Sequence, residues 1–398
     1  MRIGILTFHS EINYGSVLQA YAMQTALSSL GYEVVIIDKW EDPDNRRLLG
    51  PFSSRSIGEW CGVLLRGLFL TGEFARLRRR LKTKRLIDKY LKRTGYHFFE
   101  WGAAPKDLGV DVIVVGSDQV WNPDIVDPPD YLLRDVPKKI VGIAYAASIG
   151  QHELEPGWLQ EYKSGFRRFN AIGVREKEAK ALVESTGSPA VHVVDPTLLV
   201  PSKVWQKNFC SRRKSSRRLL FCYLMTQSIE DAVPHLNKFA LANDADVELF
   251  VDNQILSMPI RSVSRAGRWL RTLLLLANAR VRVKFDASPD EFVNSVANST
   301  WSITESFHGL MFATIFRKNV RVVVRARNSC REKMSARLTE FSRDVLSGNV
   351  IHSTLEAALS SLSVDPVAHY DEQKLQRRIE SSGEWLKDAL GKVQSHEK

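Results

Sequence analysis

The stretch R2-I-G-I-L-T-F-H-S-E-I-N-Y-G-S-V-L-Q-A-Y-A-M-Q-T-A-L-S-S-L-G-Y-E-V-V-I-I-D38 decides the fold class. An apolar run over 2–7 ends in the polar tip Thr7-Phe8-His9, and a loop with Gly15 follows. Apolar residues at 17, 20, 23, 27 and 30 keep helical spacing, Gly31 stops the helix, and E33-V-V-I-I-D38 reads as a second strand. A β-loop-α-β unit of this kind belongs to a parallel sheet covered by helices. The loop lacks GxGxxG, so a dinucleotide fingerprint is not supported.

Downstream the same grammar repeats. Apolar strands deliver polar tips at Ser117-Asp118, Ser148, Arg175-Glu176 and Asp195, so the strand ends of this half share a character suited to a site along one sheet edge. The two prolines of Asp195-Pro196-Thr197-Leu198-Leu199-Val200-Pro201 read as an interdomain connection, after which strand L219-L-F-C-Y-L224 restarts the pattern. The expected architecture is α/β, with two Rossmann-like domains facing across a cleft as in GT-B glycosyltransferases. Residues 1–200 form the first domain, 201–350 the second, and 351–398 a helical C-terminal tail. Residues 261–279 read as a helix, and 42–60 as a Pro/Asp/Ser/Gly-rich connection. The run A75-R-L-R-R-R-L-K-T-K-R-L-I-D-K-Y-L-K-R93 continues a helix with a basic face. That face is read as solvated, with a membrane-surface or polyphosphate-facing role as the alternative.

Bulk properties exclude several classes. With 398 residues, 44% hydrophobic and 25% charged, the chain is a globular protein of two domains. No apolar run reaches membrane-spanning length, and the N-terminus enters a strand without a secretory signal. Four cysteines without CxxC spacing suit a reducing, cytoplasmic setting and argue against zinc or disulfides. The net charge of +11 attracts phosphates, nucleic acid or an anionic membrane face without choosing among them. Aromatics are not interleaved with the basic runs, so nucleic acid is not expected as a partner. Neither a metal nor a cofactor is implied, because no carboxylate or histidine cluster has ligand spacing.

One further strand–turn–helix junction carries chemistry. In S302-I-T-E-S-F-H-G-L-M-F-A-T-I-F-R317 a strand ends at Thr304-Glu305-Ser306, and an apolar helix follows His308 and Gly309. Free backbone N–H groups and the helix dipole favour an anion there, and His308 can add a proton donor or a cation. Taken alone, His308 also reads as a turn residue satisfied by backbone.

Six stretches carry a resemblance: N13-Y-G-S-V-L-Q-A-Y-A22, V115-G-S-D-Q-V-W-N122, Y145-A-A-S-I-G150, V174-R-E176, D195-P-T-L-L199 and I303-T-E-S-F-H-G309. In this order and spacing they resemble the polysaccharide pyruvyl transferase family over residues 1 to about 345. The resemblance implies an enzyme that moves the enolpyruvyl skeleton of phosphoenolpyruvate onto two hydroxyls of a sugar, forming a pyruvate ketal and releasing phosphate. The acceptor would be a cell-surface polysaccharide or its lipid-linked oligosaccharide precursor, which places the protein in the cytoplasm, with peripheral contact to the anionic inner membrane face. A nucleotide-sugar-dependent GT-B glycosyltransferase is the alternative.

The resemblance also distributes roles. His308 falls on the donor side as phosphate ligand or proton donor, with Ser306 and Gly309 beside it. Many relatives carry arginine where this chain has Ser306, so a cation is missing there, and Arg175, Lys284, Arg325 or Arg337 could replace it. Each of these reads equally as a surface or salt-bridged residue. Ser148 joins the donor list. Asp118 is the acceptor-side base or hydroxyl ligand, or else a cap for the following turn. Asn13, Tyr14 and Gly15 line the acceptor side.

Overall fold

A computed structural model describes residues 1–10, 13–40, 71–151, 153–154, 156–251, 279–324, 329–364 and 369–396. The chain divides into two units. In the first, strands β1 (Arg2–Leu6), β2 (Glu33–Lys39), β3 (Arg93–Phe98), β4 (Val112–Val115), β5 (Val141–Ala147), β6 (Phe169–Val174) and β7 (Val191–His192) form one sheet in the order β3-β2-β1-β4-β5-β6-β7. Every neighbouring pair is parallel. Helix α1 (Tyr14–Ser29) is the crossover between β1 and β2. It is buried along most of its length, and Ser16, Gln19 and Gln24 are buried with its apolar residues. The Pro196–Leu199 turn packs on it, so the proline-rich connection belongs to this unit. β3 lies outside the strands expected from sequence. It is a half-exposed edge strand whose pairing with β2 shifts register between Ile36 and Asp38, a placement set by its neighbour and not by its own pattern.

In the second unit, β8 (Arg218–Leu224), β9 (Ala245–Val251), β10 (Val281–Lys284), β11 (Trp301–Thr304), β12 (Asn319–Val323) and β14 (Ile351–His352) form a parallel sheet in the order β10-β9-β8-β11-β12-β14. A two-stranded antiparallel ribbon joins β13 (Leu346–Ser347) to β15 (His369–Tyr370). Both main sheets reverse direction once, between β1 and β4 and between β8 and β11. Each unit therefore has the topological switch point at which Rossmann-like sheets bind ligands. Phe292 anchors the second core, meeting Phe221, Tyr223, Phe250 and Phe312 edge-on.

Helix α2 (Thr71–Tyr90) corrects the reading of a solvated basic face. Its described face at positions 76, 79, 80, 83, 86, 87 and 90 follows helical spacing, and Arg79 (1% exposed) and Arg80 (4%) are buried with Thr83, Leu86 and Ile87. Arg79 donates through Nη1 to the carbonyl of Val251, at 3.2 Å, at the carboxyl end of β9. Lys82 reaches Glu291 at 3.0 Å and Asp286 at 3.3 Å, and Arg78 reaches Asp286 at 3.1 Å. Residues 71–85 thus count with the second unit.

The longer of the remaining helices fill the faces: α3 (Leu159–Phe166) and α4 (Lys177–Ser185) in unit one; α5 (Ser202–Phe209), α6 (Ile229–Ala242), α7 (Pro289–Asn298), α8 (Phe307–Ile315), α9 (Ser329–Val345) and α10 (Leu355–Val364) in unit two. The expected tail at 351–398 is not one segment. β14 and α10 complete the second unit, where Leu355, Ala358, Leu359 and Leu362 join its core. Helix α11 (Glu372–His396) instead belongs to the first. Its Trp385 lies against Tyr145 and against Gly173, where any Cβ would stand 2.8 Å from the indole. Ser382 Oγ accepts the Val194 N–H at 3.0 Å. The expected boundary at 200 coincides with the end of the first unit's sheet segment. The expected helix at 261–279 and the connection at 42–60 lie outside the described residues. No helix among the described residues is long and apolar enough to cross a membrane.

Candidate functional site

In the first unit, polar residues just beyond the strands converge. Arg175, at the end of β6, is the hub: its guanidinium lies 3.0 Å from Glu176, 3.3 Å from Asp195 and 3.7 Å from Asp118. Burial opposes its charge, yet Glu176, Asp118 and Asp195 outweigh that and raise its pKa. Ser117 donates from Oγ to Asp195 Oδ2 at 3.1 Å, and Asp195 Oδ1 accepts the N–H and hydroxyl of Thr197. Across the switch point, Gln19 of α1 donates to Thr7 Oγ1 and to the Phe8 carbonyl and accepts the Ser117 N–H. Thr7 in turn donates to the Ser117 carbonyl. His9 sits beside them with Nε2 2.8 Å from Asp38, which also accepts from Trp40 and Arg93.

Among the residues expected here, Asp118 and Ser148 are brought together with Arg175. Asp118 adopts positive φ (78°) and accepts the Gln119 N–H through Oδ1, the turn-capping role that the sequence left open. Its backbone carbonyl accepts the Ser148 N–H. Ser148 is fully buried, and its Oγ has no hydrogen-bond partner among the described residues. Asn13 is exposed, and its side chain caps α1 by accepting the Gly15 N–H at 2.9 Å. Tyr14 is buried in the core. Arg175, expected on the donor side, has its charge engaged by three carboxylates of the first unit.

In the second unit, α8 begins at the β8/β11 switch point. Ser306 is its N-cap residue, and the Ser306 N–H donates to Thr304 Oγ1 at 2.9 Å. His308 follows in the first turn and is 8% exposed. Gly309 is required by close packing, since an added Cβ would lie 2.2 Å from Thr304 Oγ1. Arg337 of α9 stacks over Phe307 at 6.0 Å from the ring, which brings that cation to the His308 turn. Lys284 does not join them. It lies on edge strand β10, three strands from β11 and therefore about 14 Å along the sheet, and it pairs with Glu248 at 3.0 Å. Arg325 lies outside the described residues.

Glu305 escaped the sequence reading. Its carboxylate accepts the N–H groups of Met225 and Thr226, at 2.7 and 2.9 Å, and the Thr226 hydroxyl. It thereby ties the loop after β8 to the loop after β11. Gln19 plays the matching part in the first unit. Both are ordinary polar residues in sequence, and their partners come from distant strands. The described residues hold no group of three or more His, Cys, Asp or Glu able to bind a metal ion. Cys222 is buried with its thiol pushed well up by burial, and burial pushes Cys210 up to about 11, so neither is an activated nucleophile.

The family model for polysaccharide pyruvyl transferases matches residues 13–327. The chain belongs to this family. It is a transferase of polysaccharide biosynthesis, and the matched span includes the second switch point, the β4 side of the first, and every expected site residue except Arg337. No curated protein matches the chain. Among solved structures it is similar to UDP-GlcNAc 2-epimerase from Methanocaldococcus jannaschii, at 13% identity over 98% of this chain and 99% of that one, with a TM-score of 0.53. The UDP-N-acetylglucosamine 2-epimerase of Rickettsia bellii aligns at 10% identity over 99% and 97%, with a TM-score of 0.50. These likenesses establish the fold, two Rossmann-like units of GT-B type. Among the described residues, polar groups gather at the His308 turn at the second switch point and at the Asp118 cluster at the first.

Proposed function

We propose that the protein transfers the enolpyruvyl group of phosphoenolpyruvate to two hydroxyls of a sugar in a cell-surface polysaccharide or its lipid-linked precursor, releasing phosphate and leaving a pyruvate ketal. The family match over residues 13–327 carries this reading. Phosphoenolpyruvate brings roughly three negative charges, which call for N–H groups and cations. The first turn of α8, with His308 in it and Arg337 beside it, offers both. Protonation of the donor's methylene carbon by His308 generates an oxocarbenium-like centre, and one sugar hydroxyl attacks it as a base takes its proton. Departure of phosphate and attack by the second hydroxyl close the ketal. Asp118 is the candidate base. Ser306 contributes its place at the helix N-terminus, while the cation that many relatives carry there must come from elsewhere in the second unit.

Incubation with phosphoenolpyruvate and a panel of lipid-linked oligosaccharides tests the reading. Acceptor-dependent phosphate release and a new ketal methyl signal in the proton spectrum are expected, and His308→Ala should abolish both. Nucleotide-sugar transfer is the competing reading, favoured by the resemblance to enzymes named for UDP-GlcNAc. Thermal stabilisation by UDP-sugars with none by phosphoenolpyruvate would decide for it.

A further inference from the structure

The amino-terminal edge of the second unit's sheet, opposite the His308 turn, carries a concentration of charge that the proposed reaction does not use. The loop S211-R-R-K-S-S-R-R218 enters β8 with five cations and no acid in eight residues. Its backbone is tied down. The Ser211 N–H donates to Asn294 Oδ1 of α7 at 2.8 Å, and the Ser211 carbonyl accepts from Asn298 at 3.0 Å. Arg213 donates to the Arg217 carbonyl and to Asp246, which also accepts the Ser215 hydroxyl at 3.1 Å. Arg217 and Arg280 share Asp244, at 3.5 and 2.7 Å. Asp244 and Asp246 are thus engaged by the cations that fold the loop. Arg212 and Lys214 stand exposed on it, with no ion-pair or hydrogen-bond partner among the described residues. A second observation says what kind of polyanion they meet. Helix α6 ends at this edge, and Arg218 donates to the carbonyl of Asn243 just beyond it. Leu241, in its last turn, is 59% exposed. Lys238, one turn earlier on the same face, is exposed and also unpaired among the described residues. Unpaired cations attract any polyanion, but a leucine held out beside them gains only from an apolar boundary. Lipid headgroups over acyl chains supply both, whereas a soluble acidic polymer leaves the leucine in water.

We propose that this edge of the second unit, through Arg212, Lys214 and Lys238 together with Leu241, docks the protein on anionic phospholipid. The cations meet lipid phosphates, and the leucine enters the boundary between headgroups and acyl chains. Strand β8 has seven residues, so the docking edge lies about 20 Å from the carboxyl edge that holds the His308 turn, which stays uncovered. The surface's use in the cell rests on the reading of a lipid-linked acceptor, but lipid binding itself is measured without turnover.

The test is co-sedimentation of the full chain with vesicles of phosphatidylcholine alone and of phosphatidylcholine mixed with phosphatidylglycerol. The parent should bind the anionic vesicles and leave the neutral ones. The triple variant Arg212→Gln, Lys214→Gln, Lys238→Gln should bind them about a hundredfold more weakly, about fivefold for each cation. Leu241→Ser should weaken binding several-fold with the charge unchanged. A control triple with the same net charge, Lys138→Gln, Lys139→Gln, Arg167→Gln on the exposed surface of the first unit, should keep most of the parental affinity. Equal losses in the two triples would reduce the effect to net charge and overturn the surface. So would a parent that ignores anionic vesicles, or a patch variant that binds them as the parent does. Binding of a soluble acidic polysaccharide that needs the three cations but not Leu241, without vesicle binding, would replace the lipid by a glycan. Ketal formation on a delipidated acceptor separates this surface from the proposed reaction. It should survive in the patch variant and vanish in His308→Ala, while patch-dependent vesicle binding with no ketal from any variant supports the surface and counts against the reaction.

Discussion

Gly309 shows how little freedom the His308 turn has. Thr304 Oγ1 is fixed by the Ser306 N–H, so it cannot retreat from an added methyl 2.2 Å away. Gly309→Ala is therefore expected to cost about 1–3 kcal/mol in denaturant unfolding and to suppress turnover. Adding Thr304→Ala should recover part of the stability, since it removes the nearest atom while leaving the Cβ contact at 3.0 Å. Arg175 presents the opposite situation, one cation holding three carboxylates. Arg175→Met leaves Asp118, Glu176 and Asp195 buried without it, a loss of about 3–5 kcal/mol. The loss should appear as a lower urea midpoint; an unchanged midpoint would show that the cluster is not held by charge. Asp38 instead gives a dependence on pH. Burial raises its carboxyl, but His9, Arg93 and Trp40 together bring it below its ordinary value of 3.8. Its contribution is complete above that pH and disappears as acid titrates through the lower folded value. Asp38→Asn should lose stability near neutrality and converge on the parent in strong acid, as followed by urea midpoints across pH.

Loops after strands are steadied here by single polar side chains reaching across the switch points. Glu305 holds the Met225–Thr226 backbone, and its replacement by Ala should raise amide hydrogen exchange at those two residues and raise KM for the donor more than it changes global stability. Protection unchanged at Met225 and Thr226 would remove that role. The strand–helix alternation, the polar strand tips and the helical turn at His308 were all legible in the sequence, because periodicity and turn chemistry are local. Glu305 and Gln19 were not, since their function lies in partners 79–80 and 98 residues away. The basic face of α2 misled for the same reason: composition marks arginines as solvated, while tertiary packing buries Arg79 and Arg80, the former bonded to the carboxyl end of β9. β3 was missed because an edge strand with half-exposed residues carries no strong alternation.

Across the whole molecule, a net charge of +11 fits the proposed anionic donor and an acceptor proposed to be displayed on an anionic membrane face. Binding to vesicles rich in anionic lipid should weaken steeply between low and physiological salt; binding insensitive to salt, or none, would remove the membrane from the account. The order of the chain also fixes an order of events. The second unit's strands and helices from 201 to 371 are contiguous, whereas the first unit closes only when α11 sets Trp385 on Gly173 and Tyr145. On the ribosome the first sheet, though synthesised first, must therefore wait through the making of its younger neighbour with the seat for that indole uncovered. A ribosome stalled after residue 371 would carry a protease-sensitive N-terminal half, and the final helix would act as its latch.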